Sequence, residues 1–414
     1  MTDFKQVHPR RTFLGRLATG CAAGSWPALL GRSPAADNFP ASNSVKRCIE
    51  GNLQTGAAKA VVVGDVPLIH TEQVFAKREG SDGDRSVVIA AVEQALERRL
   101  STIGSSLDDA VRLHFYVASD TWVSLIEDRL AKRFSGGFQP AVTFVTGNLA
   151  EAGALVAADC VAVSREAVDL GQVGRFDGGA ILPPGDKLYV SGDAKPGDIT
   201  MATRETLKSL ENTLRFAKLD WSHVVQLKTF LQPIDQAGAV RAAMLEFLGD
   251  RKLPPLVFVE WRSPSLPLEI ELIATVPPEH GNRGTAEVEY LTPPEMKASP
   301  VFSRAARMRS PAMLYTSGLY GDSAGDSPTR VRGILREVDR LTKLAGSSMQ
   351  QLAKATYYVS AEEESTDLGK IRPEFYRPDS PPAASKAMVS SVGREGQRLC
   401  VDMIAAAGKN PPQP

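Results

Sequence analysis

Apolar and polar positions alternate in three short runs, Val111–Val117 (VRLHFYV), Val225–Leu231 (VQLKTFL) and Ala353–Val359 (AKATYYV). Alternation among β-branched and aromatic residues predicts strands with one buried face. Each run lies between two segments whose apolar residues recur at helical spacing. The spacing predicts helices over 87–100, 201–216 and 329–344 before the runs, and over 122–134, 240–248 and 368–376 after them. Two closing strands end each set: Val142–Thr146 with Ala154–Val163, Leu256–Trp261 with Leu268–Val276, and Ala383–Val389 with Leu399–Ala406. Opening strands are predicted at Lys187–Ser191 and Met313–Ser317, and as a pair, Ala60–Asp65 and Leu68–Thr71, around a Gly-Asp turn. The whole pattern recurs, so the repeat is a domain. It divides the chain into 41–168, 169–280 and 281–414, each an α+β unit with two helices on one face of a mixed sheet.

Residues 1–40 stand outside this pattern. Arg10-Arg11-Thr12-Phe13-Leu14 followed by the mildly apolar Leu17–Leu30 resembles a signal for twin-arginine (Tat) export, with Ser33-Pro34-Ala35 at a cleavage point. The expectation is a periplasmic or otherwise extracytoplasmic protein without a stable membrane span. Lipid anchoring at Cys21 is the minor alternative, because the apolar run before it is short and contains Arg16. The 48 basic residues balance 48 acidic ones, leaving no field for nucleic acid. The four cysteines and five histidines are dispersed, without metal-ligand spacing, and no glycine-rich phosphate cradle is present. Neither a metal nor a cofactor is expected.

Leu188-Tyr189-Val190-Ser191-Gly192, the VVQLKTFL strand, a proline-introduced strand and Leu268-Glu269-Ile270-Glu271-Leu272 together resemble the RidA (YjgF) family. The third unit is similar through Phe302-Ser303-Arg304-Ala305, Leu314-Tyr315-Thr316-Ser317-Gly318 and Asp402-Met403-Ile404-Ala405. The first is the most diverged, with Thr71-Glu72 in place of Ser-Gly. The resemblance implies three RidA-like (chorismate-mutase-like) domains. Family members form homotrimers with small-molecule sites in the clefts between subunits, so three fused copies imply an intrachain pseudo-trimer, monomeric as a chain. Fusion frees the three clefts to differ, which identical subunits do not allow.

The family's deaminases hydrolyse reactive enamines and imines. The resemblance places an arginine two residues after a strand proline, where it holds a carboxylate, and a glutamate on the last strand. After Pro140 that position holds Val142, after Pro255 Val257 (Leu256 if Pro254 is the anchor), and after Pro382 Ala384. None is arginine. The glutamate survives as Glu269, against Ala157 and Cys400 in the other units. Lys386 lies two residues beyond Ala384 and shares its face, where Phe144 and Val259 are expected as counterparts. A lysine there can hold an anion or act as an amine. His70 is a candidate acid or base, and His114 reads as a packing or surface residue. Ser191 and Ser317 offer hydroxyls. The expected catalytic candidates are therefore Lys386, Glu269 and His70, with Val142, Val257, Ala384, Ser191 and Ser317 lining ligand clefts. The leading expectation is an exported, diverged small-metabolite-binding protein. The alternatives are an imine or enamine hydrolase rebuilt around Lys386 and Glu269, or a structural assembly partner.

Overall fold

The computed structural model describes residues 45–77, 84–280, 286–322 and 324–408. The twin-arginine segment, Cys21 and the C-terminal tail beyond 408 lie outside them. The order helix–strand–helix–strand–strand occurs three times, preceded by four strands the first time and by three strands the other two. The first unit contains β1 (Lys46–Asn52), β2 (Ala57–Gly64), β3 (Leu68–Thr71), β4 (Val74–Lys77), α1 (Arg85–Ser101), β5 (Ala110–Val117), α2 (Val123–Arg133), β6 (Ala141–Thr146) and β7 (Ala154–Val163). The second contains β8 (Gly174–Phe176), β9 (Gly179–Leu182), β10 (Asp186–Asp193), α3 (Ile199–Phe216), β11 (Val224–Leu231), α4 (Ala237–Leu248), β12 (Leu256–Glu260) and β13 (Leu268–Val276). The third contains β14 (Val288–Leu291), β15 (Ala305–Met308), β16 (Ala312–Thr316), α5 (Ser327–Leu344), β17 (Leu352–Val359), α6 (Glu362–Ile371), β18 (Ala383–Met388) and β19 (Leu399–Ala406).

Local chemistry sets the helix starts earlier than periodicity alone suggests. Asp198 caps α3 by accepting from the Met201 N–H, and Asp326 caps α5 by accepting from Thr329, with a proline in its first turn. In α3, Leu207, Leu210 and Leu214 are buried along one side, against the sheet. The last helix, α6, occupies 362–371 rather than 368–376, because Pro373 ends it. Each unit has its own apolar core between its helices and sheet. Within each, β5–β6, β11–β12 and β17–β18 run parallel, joined by a helical crossover, and the last strand pairs antiparallel with the first of these.

The opening strands depart from expectation. β2 and β3 do not form a hairpin with each other. Instead β2 pairs antiparallel with β16 of the third unit, while β3 pairs with β7 and with β9 of the second. Likewise β15 of the third unit pairs with β10 of the second. Each unit thus lends its opening strand to another, and the lending from first to third returns the chain to its start.

The VRLHFYV, VQLKTFL and AKATYYV strands are buried on both faces, not one. A bulge near the start of each, at Val111, Val225 and Ala353, turns the following polar positions towards a common inner region, the axis, where residues of all three strands pack together. Two apolar layers close that axis. One is built around Val111, Val225, Ala353, Tyr189 and Tyr315, the other around Tyr116, Phe230 and Tyr358.

Candidate active site

Strand register identifies which residues correspond between units. Lys228 pairs with Val257, Thr356 with Ser385 and His114 with Thr143. Val257 therefore corresponds to Thr143 and Ser385, on the inner face. The residues matching Val142 and Ala384 are on the other face, and the second unit's is Leu256, set by Pro254 rather than Pro255. Val257 packs in the inner apolar layer instead of lining a cleft. The Lys386 counterparts are correspondingly Phe144 and Phe258, not Val259. One residue of slip moves a strand side chain to the opposite face of its sheet.

The same correction applies to His70. Thr71 Oγ1 accepts from Cys160 N–H as Thr316 Oγ1 accepts from Met403 N–H, both at 2.9 Å, so Thr71 matches Thr316. Glu72-Gln73 then matches Ser191-Gly192 and Ser317-Gly318, and His70 matches Tyr189 and Tyr315. His70 is fully buried, with Nδ1 3.4 Å from Gln226 Oε1. Burial, reinforced by the Arg112 charge, pushes it down to about 4. It is a neutral axial residue outside the clefts.

The three clefts between units differ in what fills them. Between the first and second, Gln73 occupies the glycine position and plugs the cleft. Its N–H donates to Leu256 O, its Nε2 donates to Phe258 O at 3.1 Å, and its Oε1 accepts from Phe258 N–H at 3.1 Å. Opposite it the last-strand position holds only Ala157, paired with Tyr116.

Between the third and first units lies a cavity of about 510 Å³ reached by Val142, Phe144, Ser317, Gly318 and Tyr320. Its last-strand residue is the buried Cys400, whose Sγ occupies the space a Cβ on Gly318 would need. Burial pushes that thiol up. Both of its cations are ion-paired, Lys59 bridging Glu50 and Glu337 at 3.1 and 2.9 Å and Arg394 binding Glu127 at 2.5 Å, and Asp322 adds a further acid to the lining. Ser317 Oγ donates to Ala58 O and accepts from Val142 N–H at 2.7 Å, so it staples the strands.

The cleft between the second and third units holds the titratable chemistry. Ser191 Oγ again staples strands, donating to Ser303 O at 2.6 Å and accepting from Ala384 N–H at 2.7 Å. Gly192 donates its N–H to Ser385 Oγ at 3.1 Å. A Cβ at Gly192 would come within 1.8 Å of Glu269 Oε1, so the glycine makes room for the carboxyl. Glu269 is half-buried as a side chain, yet its Oε1 is shut off from solvent and has no hydrogen-bond partner among the described residues. Burial and the neighbouring Glu271 charge push Glu269 up to about 7, against the opposing pull of Lys354 and Ser385. Lys386, also half-buried, donates to Ser365 Oγ at 2.8 Å. Burial and the Arg372 charge push it down. Ser191, Ala384, Lys386 and Glu269 are thus brought together here, whereas Ser317 and Val142 belong to the cleft between the third and first units.

The axis carries a polar layer that the sequence reading missed. His114 lies between two acids, with Nδ1 3.3 Å from Asp159 Oδ2 and Nε2 3.2 Å from Asp402 Oδ2. Tyr116 donates to Asp159 Oδ1 at 2.8 Å, Arg112 lies 3.6 Å from Asp402, and Lys354 is paired with Glu271. Against the upward push of burial, the His114 and Lys228 charges and the Tyr116 hydroxyl bring Asp159 down to about 2. His114 is therefore neither surface nor simple packing. The signal was present as polar pairs in phase, Arg112/His114, Gln226/Lys228 and Lys354/Thr356, facing Asp159, Glu271 and Asp402. Among the described residues no cluster of side chains suits a metal ion, and no helix is long and apolar enough to cross a membrane.

Residues 173–276, essentially the second unit, match the family model described as Endoribonuclease L-PSP. This is the unit that also carries Glu269. No curated protein matches the chain. Similar solved structures include a protein of the conserved Rid family from Yersinia pestis, at 21% identity over 28% of this chain and 98% of that one, with a TM-score of 0.26. A YjgF-family member from Neisseria meningitidis is 14% identical over 30% of this chain and 97% of that one, with a TM-score of 0.23. Another from Mycobacterium tuberculosis is 17% identical over 24% and 83%, with a TM-score of 0.22.

Proposed function

We propose that the chain is a diverged RidA-like protein made of three fused units, an intrachain pseudo-trimer, and that it acts on a small imine- or carbonyl-bearing acid in the cleft between its second and third units. The observation that carries this reading is the Glu269 carboxyl, seated on Gly192 with an unpartnered Oε1 and raised to about 7. A carboxyl poised there can take a proton from water and return it near neutral pH. With an imine, water adds to the C=N carbon as Glu269 accepts its proton. That proton passes to nitrogen to give the carbinolamine; Glu269 then takes the carbinol hydroxyl proton and delivers it to the same nitrogen as the C=O forms and the C–N bond breaks, so that ammonia and a ketoacid leave. The positions Val142, Leu256 and Ala384 supply no arginine, so the ligand is held differently from the family's pattern. Equal numbers of basic and acidic residues give no support to action on RNA.

The test is ketoacid release from freshly generated 2-iminobutanoate or 2-aminoacrylate. Turnover above buffer that falls by about a hundredfold or more in Glu269→Gln is expected. Wild-type release at the buffer rate overturns the hydrolytic reading and leaves ligand binding without turnover. That second reading is favoured by the ion-paired, roomy cleft around Ser317 and Val142. Export by the twin-arginine route is part of the proposal. A chain carrying Lys in place of Arg10 and Arg11 should stay in the cytoplasm, and equal export of that variant would refute it.

A further inference from the structure

Beside Lys386 the third unit holds a second cation, from a part of the chain that the strand pattern gives no reason to inspect. Arg372 lies in the helical turn after α6, and only 7% of it is exposed. Its guanidinium stacks over the Tyr357 ring at 4.9 Å, and its Nε is buried without a hydrogen-bond partner among the described residues. Tyr357 is the register partner of Lys386 on the neighbouring strand, so the two cations converge on one patch of β17 and β18. Among the described residues neither has a carboxylate at ion-pair distance. Among the buried acids, Lys354 engages Glu271 and Arg330 engages Glu364 through Oε1, while Glu364 Oε2 and Glu269 Oε1 have no hydrogen-bond partner among the described residues. The Arg372 charge is felt at Lys386 as repulsion, and the smaller attractions of Glu362 and Glu269 oppose it.

Two like charges held together in a poorly solvated place destabilise the empty protein unless an anion joins them. We propose that Arg372 and Lys386 form an oxyanion-binding pair for the carboxylate of a small organic acid at the edge of the second–third cleft. The guanidinium grips an oxyanion through its planar fork, and the ammonium adds a point charge on its hydroxyl-tethered stem. A singly charged carboxylate fits better than phosphate, because Glu269 and Glu362 face the same region and repel a dianion more strongly. The pair draws its arginine from a helical turn rather than from the strand. The inference rests on the function proposed above only in placing the ligand in this cleft.

Calorimetric titration of the full chain with 2-oxobutanoate, and separately with inorganic phosphate, tests it. Saturable 2-oxobutanoate binding is expected, weakened about tenfold or more in Lys386→Gln and in Arg372→Gln, with Arg372→Lys intermediate. Glu269→Gln should bind as well as the parent or better. Unchanged affinity in both cation variants, or no wild-type binding of 2-oxobutanoate, overturns the pair. Phosphate bound more tightly than 2-oxobutanoate overturns the carboxylate assignment. Arg372 is buried, so if Arg372→Gln does not fold, the half-exposed Lys386 decides the matter alone. Absent turnover with binding that still depends on Lys386 counts against the hydrolytic function and for the anion pair. Turnover with binding indifferent to both cations counts the other way.

Discussion

Replacing Glu269 by glutamine should make the protein more stable, and only at the alkaline end. The carboxyl rises from an ordinary 4.5 to about 7 in the folded chain, through burial and the Glu271 charge. Between those values the folded state keeps a proton that the unfolded state has released. Stability is therefore full below the ordinary value, falls as pH rises through the window, and is lost above the raised one. At about 1.4 kcal/mol per pKa unit the loss approaches about 3 kcal/mol. Because the side chain is only half-buried, solvent screening brings this to about 2 kcal/mol. Glutamine keeps the shape and cannot ionise. Glu269→Gln should match the parent near about pH 4 and exceed it by about 2 kcal/mol near about pH 8. With about 2.1 cal/mol/K of unfolding entropy per residue, that is a Tm rise of about 3 °C if the chain unfolds as one, and about 9 °C if the second unit unfolds alone. Thermal unfolding of both proteins across this pH range is the assay. A Tm difference that does not change with pH, or a glutamine variant less stable at the alkaline end, would refute the reasoning.

Gly192→Ala should lower the Tm and displace the carboxyl, since the new methyl would meet Glu269 Oε1 at 1.8 Å; a cost of about 1–3 kcal/mol is expected, read by the same scans. Lys354→Met leaves Glu271 buried without its partner and should cost about 3–5 kcal/mol, measured by denaturant unfolding; a neutral result would mean that the axial ions are hydrated. Gln73→Ala removes both side-chain hydrogen bonds to Phe258 and should cost about 1–3 kcal/mol while faster amide exchange appears along β12. Lys386→Met should raise the Tm of the ligand-free protein, because it removes a cation that burial and Arg372 already disfavour.

Much of the secondary structure was legible because periodicity is a local property. The three alternating strands, every helix but the last and the closing pairs lie close to where their apolar spacing puts them. Partnering was less legible. Residues such as Gly64 and Asp65 mark a turn, but whether β2 returns to β3 or crosses to β16 depends on which edge is free in another unit. Register was the weakest point. Pro254 and Pro255 offer two anchors, and only the pairing of Lys228 with Val257 decides between them. That one residue separates a cleft position from an inner-layer one.

The sequence by itself determined the order of strands and helices, the residues Val142, Leu256 and Ala384 near the strand prolines, and the single carboxylate among Ala157, Glu269 and Cys400. Tertiary structure decided what those residues face. It buried the polar side of VQLKTFL and its relatives around a shared axis, where His114 meets two acids from different units. It filled one cleft with Gln73, gave another its volume, and left the third with Glu269, Lys386 and Arg372. Alternation says that a strand has two faces, but not what each will meet. That is fixed by contacts between residues far apart in the chain, and desolvation and charge there set the chemistry.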